Sequence, residues 1–383
     1  MGEERAMTEY RFARPDEEND VLDFINAVFS QAARPHDFAR LIPKVYAHEG
    51  FYVHHALALE GSRIVAAVGM LPVKVRLGAD HPPLQAGYIG SVSVHPRFRG
   101  QGHMQALMRM QIQEARRRGY DFLALGGQRQ RYQYYGFEQG GMTGAFSVNR
   151  ANARHALPEG KQFRFEEVAG KDHPALGLMK KWQERQNLSC LRDGERFLDT
   201  LRTYGGVPYA VFDGERQEWA GYIAALDKQI TELVLKREAD LAAVLGAWVR
   251  EKGNAVLLVP GGLWGRWQAV QAFSESCEIS DGEMVKILNW EKVLSAALCF
   301  QAESKALPDG EWTLAVQDAG EWTLRVRAGK AQVDPAEGKA DACLEEKQAV
   351  RLLFSPLGAL LPGNKPPCAW LPLPLEIPIA DQF

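Results

Sequence analysis

The sequence of 383 residues is longer than the ~250–300 residues at which a single hydrophobic core usually stops growing, so we expect two or three domains. Hydrophobic residues make up 46% and charged residues 24%, as in ordinary soluble globular proteins, and the net charge of −3 gives no broad attraction to nucleic acid or anionic membranes. No apolar run approaches the ~20 residues that a membrane-spanning helix needs.

The N-terminal segment and the cysteines both favour a cytoplasmic protein. The segment from Met1 is charged and has no apolar signal-peptide core, and Ala6 stands where a myristoylation signal has Ser or Thr. The cysteines are odd in number, scattered and without a Cys-x-x-Cys pair, so we predict reduced thiols.

The first part of the sequence predicts a helix followed by several strands. A helix is expected to open at Pro15, and two β-rich runs flank Gly61 as a hairpin. The predicted strands cover 52–59, 63–70, 73–77 and 88–94.

A glycine turn follows the last of these strands. Arg97, Gly100 and Gly102 form an Arg-x-x-Gly-x-Gly pattern, and an amphipathic helix begins directly after it. The first N–H groups of a helix have no partner within the helix, and glycine lets a phosphate approach the backbone closely. Arg97 and Arg99 add fixed positive charge. The pattern predicts an anion site, and its alternative is a plain strand-to-helix turn.

A second motif follows the helix. Residues 121–125 predict a buried strand that ends at Gly126 and Gly127, and the segment from Tyr132 to Phe137 then has the pattern Tyr-x-x-x-Gly-Phe. The order of these parts resembles the GCN5-related N-acetyltransferases (GNAT): a strand, the glycine turn, a helix, a second strand and then this motif.

The resemblance implies acetyl-CoA as the donor substrate. It implies that Val92 and Val94 pair with the pantetheine arm and that the thioester lies between two central strands that splay apart. Gly127 would line the other wall of that gap. The backbone N–H groups expected to hold the pyrophosphate are those of Arg99, Gly100, Gln101, Gly102 and His103.

The same resemblance makes Tyr132 the expected general acid. A phenol, with a pKa near 10 in water, is protonated at neutral pH and can donate to a departing thiolate. Tyr134 and Tyr135 are its competitors for this role.

The middle of the sequence repeats the hairpin, strand, helix, strand order. The segment from Lys236 to Asp240, at the place of the glycine turn, contains no glycine and carries acidic side chains. We predict a second acetyltransferase-like domain without a cofactor site, and the alternative is an unrelated α/β domain.

The last part predicts a helix over 293–300, a hairpin from strands 312–317 and 322–327, and a proline-rich surface segment over 362–374. This order resembles the sterol-carrier-protein-2-like fold. Two acetyltransferase-type domains before such a domain resemble the enhanced-intracellular-survival (Eis) acetyltransferases. The fold class expected is therefore α+β or α/β with mixed sheets, divided into domains 1–151, 152–290 and 291–383.

The Eis resemblance also implies a role for the end of the chain. It implies that the carboxylate of Phe383 enters the first domain's active site and takes a proton from the acceptor amine; a disordered tail is the alternative. Gln382 and Gln31 stand where acidic groups for a polycationic acceptor were expected, so such an acceptor is not favoured.

The resulting prediction is an acetyl-CoA-dependent N-acetyltransferase acting on a small-molecule amine. Its rivals are an enzyme with another acyl donor or a protein lysine as acceptor, and a non-catalytic acyl-CoA or lipid sensor. The sequence leaves the oligomeric state open between a monomer and a homo-oligomer, although three-domain relatives often assemble into rings of several chains. We predict no metal site, because His54 and His55 are adjacent on a predicted strand and face opposite sides, and no nucleic-acid or membrane partner.

Overall fold

The computed structural model describes residues 7–32, 35–155, 162–336 and 338–383. The N-terminal residues used in the targeting-signal prediction, Met1 to Ala6, lie outside the described residues.

The described strands assemble into three sheets. In chain order they are β1 (Thr8–Phe12), β2 (His55–Glu60), β3 (Arg63–Leu77), β4 (Leu84–Val94), β5 (Phe122–Leu125), β6 (Glu138–Gln139), β7 (Met142–Val148), β8 (Phe163–Glu167), β9 (Leu188–Cys190), β10 (Val207–Asp213), β11 (Glu218–Leu226), β12 (Gln229–Leu235), β13 (Ala255–Pro260), β14 (Ser276–Asp281), β15 (Met284–Ile287), β16 (Gly310–Val316), β17 (Gly320–Arg327), β18 (Lys330–Pro335) and β19 (Ala342–Leu344).

The helices cover the faces of these sheets or connect their strands. In chain order they are α1 (Glu18–Ala32), α2 (Phe38–Leu41), α3 (Pro43–Tyr46), α4 (His103–Arg117), α5 (Arg129–Tyr132), α6 (Arg150–His155), α7 (Leu176–Glu184), α8 (Phe197–Leu201), α9 (Leu241–Lys252), α10 (Trp264–Gln271), α11 (Trp290–Ser304) and α12 (Glu346–Phe354). No helix in the described part of the chain is long and apolar enough to cross a bilayer.

The first sheet has the order β1-β2-β3-β4-β5-β15-β6, with β9 paired to β3. The hairpin predicted around Gly61 is confirmed as the β2–β3 pair. The separate strands predicted on either side of Pro72 are one continuous strand, β3. Pro72 has Gly87 of β4 as its register partner on one edge. It has no partner on the other edge, because pairing with β2 ends at Gly69 and pairing with β9 begins at Val75, and a residue with one unpaired edge is where a strand tolerates proline.

The first two sheets exchange strands. Strand β7, which precedes the predicted boundary at 151, pairs with β13 and β14 in the second sheet. Strand β15, from the middle of the chain, lies between β5 and β6 in the first sheet. The domain boundaries stay a prediction, and backbone pairing crosses the first of them in both directions.

The second sheet has the order β14-β7-β13-β12-β11-β10-β8. Its hairpin, strand, helix, strand succession is the one predicted for the middle of the chain. Apolar side chains fill both faces, with α9 on one face and α7 and α8 on the other. The second sheet therefore has a hydrophobic layer on each face, each covered by helices from the middle of the chain.

The third sheet, β18-β17-β16-β19, packs against α11 and shares one hydrophobic core with a face of the first sheet. The prediction that the proline-rich segment 362–374 lies on the surface is wrong for its second half. Trp370, Leu371 and Leu373 are buried, because their side chains fill this shared core, and the indole N–H of Trp370 donates to the carbonyl of Pro308 at 3.0 Å.

Candidate active site

Strands β4 and β5 run in parallel but stay together only briefly. Their paired residues end at Tyr88 and Ala124, while β4 continues to Val94. Beyond Tyr88, β4 keeps β3 as its neighbour and has no strand on its other edge among the described residues. The backbone groups on that edge are therefore available to a ligand that lies along the strand.

A bulge bends β4 at the point where the two strands part. The register with β3 shifts between Ala67 and Gly69, and Ser91 has a φ of 51°, which is rare for a residue other than glycine. The hydroxyl of Tyr46 lies 2.6 Å from the Ser91 hydroxyl and 2.9 Å from Nε2 of His55. These buried hydrogen bonds hold the bulge in place.

The predicted glycine turn connects β4 to α4. Gly100 and Gly102 have φ values of 78° and 85°, a conformation that residues with a Cβ adopt only with strain. A Cβ on either glycine would meet nothing within 4 Å. The turn is thus open to solvent and presents the N-terminus of α4, a suitable place for an anion.

A cavity of about 790 Å³ lies beside this turn. Six of the predicted donor-binding residues line it, namely Val92, Val94, Arg99, Gly100, Gly102 and His103. Arg97 and Gln101 are exposed and are not among the lining residues. Tyr134 and Tyr135 do line the cavity, and Tyr134 is 65% exposed.

Tyr132 and Gly127 lie together and are not among the residues that line this cavity, although Arg131, next to Tyr132 in the chain, does line it. Tyr132 is 6% exposed, and a Cβ on Gly127 would lie 2.7 Å from its ring. Burial raises the pKa of the Tyr132 phenol, and the neighbouring Arg131 partly opposes that rise. The phenol is therefore protonated at neutral pH.

Phe383 is buried against the first sheet. A Cβ on Gly90 would lie 2.3 Å from an oxygen of its terminal carboxylate, and a Cβ on Gly69 would lie 2.5 Å from its ring. The ring stacks on Tyr46 with centroids 5.8 Å apart and meets His55 edge-on at 6.1 Å. The end of the chain therefore lies beside the bulge of β4, where β4 and β5 part.

Residues 9–140, which contain the splayed strands, the glycine turn and Tyr132, match a family model described as "Acetyltransferase (GNAT) domain". The chain carries a GNAT acetyltransferase domain. No curated protein matched the sequence.

Solved structures share the fold of nearly the whole chain. A GCN5-related N-acetyltransferase from Kribbella flavida is 17% identical, with 99% of each chain covered and a TM-score of 0.68. One from Anabaena variabilis is 19% identical, covers 98% of this chain and 97% of its own, and has a TM-score of 0.67. Eis1 from Mycobacterium abscessus is 14% identical, with 98% and 100% covered and a TM-score of 0.66. The predicted mixed-sheet fold class is confirmed, and the sterol-carrier-like assignment stays a prediction.

Sequence reasoning missed the side chains that hold the chain end against the GNAT domain. Nζ of Lys44 donates to the carbonyl oxygens of Ala380 and Gln382 at 2.6 and 2.5 Å. Burial lowers the pKa of Lys44 to about 7. The guanidinium of Arg192 binds Asp381. No local pattern marks Lys44 or Arg192, because their partners are remote in sequence.

An acidic side chain that the sequence did not single out also lies near the chain end. A Cβ on Gly126, at the end of β5, would lie 2.9 Å from a carboxylate oxygen of Glu283. Burial raises the pKa of Glu283, and hydrogen bonds from Tyr88 and Gln382 oppose that rise. Gln31, at a position where an acidic group for a polycationic acceptor was expected, is exposed on α1.

The segment that corresponds to the glycine turn in the second sheet is filled by ion pairs. Asp240, directly before α9, is buried and accepts from Arg237 at 3.1 Å and from Arg216 at 3.2 Å. Arg216 also donates to Asp213 at 2.5 Å. A buried carboxylate at the start of α9 disfavours a phosphate there. In the part of the chain that the structure describes, no group of three or more His, Cys, Asp or Glu is arranged to hold a metal.

Proposed function

We propose that this protein is an acetyl-CoA-dependent N-acetyltransferase that acts on an amine by direct attack in a ternary complex. The observation that carries the proposal is the cavity beside the free edge of β4, bounded by the open glycine turn within the GNAT domain. Its size is that of an ordinary small-molecule site.

The donor fits this cavity by its chemistry. Amide groups of the pantetheine arm would hydrogen-bond to the edge of β4 at Val92 and Val94. The pyrophosphate would bind the N–H groups of the turn and the start of α4, with Arg99 adding positive charge. The turn makes this binding feasible, because there is open space around Gly100 and Gly102 and a glycine lets a phosphate approach the backbone without a Cβ in between.

The proposed reaction moves two protons. The lone pair of a neutral amine attacks the thioester carbonyl carbon, and the amine proton passes to the carboxylate of Phe383, directly or through water. The tetrahedral intermediate then collapses, the carbon–sulfur bond breaks, and Tyr132 protonates the departing thiolate. The products are an acetylated amine and coenzyme A as its thiol. The proximity of Phe383 to the parting strands supports its role.

One observation favours a second candidate, a non-catalytic acyl-CoA sensor. Tyr132 is buried and is not among the residues that line the cavity, whereas Tyr134 and Tyr135 are. If none of the three phenols reaches the thioester sulfur, the departing thiolate has no proton donor, turnover is slower by about 100- to 10,000-fold, and binding of the donor is the activity that remains. Another acyl donor and a protein lysine acceptor are further variants of the enzyme proposal.

The deciding experiment measures thiol release from acetyl-CoA with a panel of amines and a lysine-containing peptide. Turnover with any acceptor supports the enzyme, while tight binding of coenzyme A without turnover supports the sensor. Deletion of Phe383, or addition of one glycine after it, should lower turnover without changing acetyl-CoA affinity. The matched control adds one glycine at the N-terminus. Full activity of both altered C-termini would refute the terminal base.

A further inference from the structure

Arg192 is a buried arginine shared by two acidic side chains. Its side chain is 4% exposed. Nε and Nη2 donate to the two carboxylate oxygens of Asp381 at 2.9 and 2.7 Å. Nη1 and Nη2 donate to the two oxygens of Glu232 at 2.9 and 2.5 Å. This double fork fixes the position of Asp381, two residues before Phe383, in both distance and orientation.

The three partners come from different parts of the fold. Arg192 follows β9, which pairs with β3 of the first sheet. Glu232 lies on β12 of the second sheet, and its carboxylate also accepts from the hydroxyl of Tyr222 on β11. Asp381 belongs to the tail. The middle of the chain, whose turn has no glycine, therefore supplies an anchor for the end of the chain.

Lys44 of the GNAT domain holds the same tail from another side. Its bonds to the carbonyl oxygens of Ala380 and Gln382 flank Asp381, so three consecutive residues are fixed. Buried ion pairs contribute little net stability compared with apolar packing, whereas a two-pronged arginine–carboxylate pair adds geometric specificity. A catalytic group needs that geometry, since an error of about 1 Å can cost ~100-fold in rate.

We infer that Arg192, with Glu232 and Lys44, is a positioning residue that sets the place of the Phe383 carboxylate in the active site. This rests on the proposed function of that carboxylate. The middle of the chain, for which we predict no cofactor site, then contributes to catalysis, because Arg192 and Glu232 hold the proposed proton acceptor in the active site of the GNAT domain. None of the three side chains needs to touch the substrate.

The test compares Arg192→Met, Asp381→Asn and Arg192→Lys with the wild-type protein, after thermal melts establish which variants are folded. Asp381→Asn weakens the pairing between Arg192 and the tail and leaves Arg192 paired with Glu232. It therefore tests the same inference if Arg192→Met does not fold. The control is Arg117→Met, which changes an arginine that is 72% exposed on α4. Each variant is assayed for kcat, for the KM of both substrates, and for release of phenylalanine by a carboxypeptidase.

Arg192→Met and Asp381→Asn should lower kcat about tenfold or more and speed phenylalanine release about tenfold or more, while acetyl-CoA affinity stays within about twofold. Arg192→Lys should recover part of both losses, because it restores the charge without the fork. Wild-type release and kcat in a folded Arg192→Met or Asp381→Asn variant would overturn the inference. The proposed role of the Phe383 carboxylate as base is tested separately, and it would be refuted if deletion of Phe383 left turnover unchanged.

Discussion

Replacing Gly90 by alanine tests whether the chain end must lie beside the bulge of β4 for activity. The new methyl carbon would lie 2.3 Å from an oxygen and 2.6 Å from the carbon of the terminal carboxylate of Phe383. Both distances are about 1 Å inside the ~3.5 Å at which non-bonded carbons are in contact. Because these neighbours are backbone atoms, no rotamer change relieves the overlap, and the last residue must move.

The cost of that movement has an upper bound. Exposing the ring of Phe383 forfeits about 1.5–3 kcal/mol of apolar burial, so the tail leaves its site if the strain exceeds this amount. A displacement of about 1 Å already predicts a ~100-fold fall in kcat for a proton acceptor that must lie within hydrogen-bond reach. Acetyl-CoA affinity should stay within about twofold, since the glycine turn and α4 are untouched.

The assay is thiol release at saturating acetyl-CoA, with donor affinity measured by calorimetry. Gly177→Ala is the matched control, because a Cβ on Gly177 in α7 would meet nothing within 4 Å. That change should leave kcat unchanged and stabilise the helix by about 0.5–1 kcal/mol. A Gly90→Ala enzyme with the wild-type kcat would refute the reasoning.

Three further changes address the acid, the turn and a buried carboxyl. Tyr132→Phe should lower kcat about 100-fold at unchanged acetyl-CoA affinity; a wild-type rate, with the loss appearing in Tyr134→Phe instead, would assign the acid to Tyr134. Gly102→Ala should cost about 1–2 kcal/mol of folding stability through its positive φ, and Gly102→Asp should in addition weaken acetyl-CoA binding by repelling phosphate; unchanged calorimetric affinity in the aspartate variant would refute the turn as the phosphate site. Burial raises the pKa of Glu376 to about 8 from its ordinary 4.5, so the folded protein holds a proton that the unfolded chain has lost, and stability falls as pH rises between these values. Glu376→Gln should remove about 2–5 kcal/mol of that fall, measured by denaturant melts at pH 5 and pH 8; an unchanged pH dependence would contradict the burial of a neutral carboxyl.

The sequence predicted the local parts of the site because each part has a local cause. Glycines at positive φ mark the turn, alternating apolar residues mark β4 and the helical repeat marks α4, and all three lie where they were expected. The bulge at Ser91 was not predicted. Ser91 is hydrogen-bonded there to Tyr46, a residue 45 positions away, and no local pattern indicates such a contact.

The strand exchange was also beyond local reasoning. Three of the four residues of β15 are apolar and the fourth is Lys286, a pattern that does not distinguish the interior of one sheet from that of the other. Its place between β5 and β6 is decided by the ladder that it completes with both. The burial of Trp370 and Leu373 has a similar origin, because the core they fill belongs to α11 and the third sheet. The surface position predicted for the segment 362–374 rested on its proline content alone.

Two mid-strand glycines give the position of the chain end a physical reason. Gly69 and Gly90 are register partners on β3 and β4, so their missing side chains leave one shared space on the sheet. Each glycine weakens its strand by about 0.5–1 kcal/mol, a cost that the ~1.5–3 kcal/mol from burying one phenyl ring offsets. A Cβ on either residue would overlap Phe383. Glycines inside strands indicate that another group approaches closely, and here that group is the residue whose carboxylate we propose as the base.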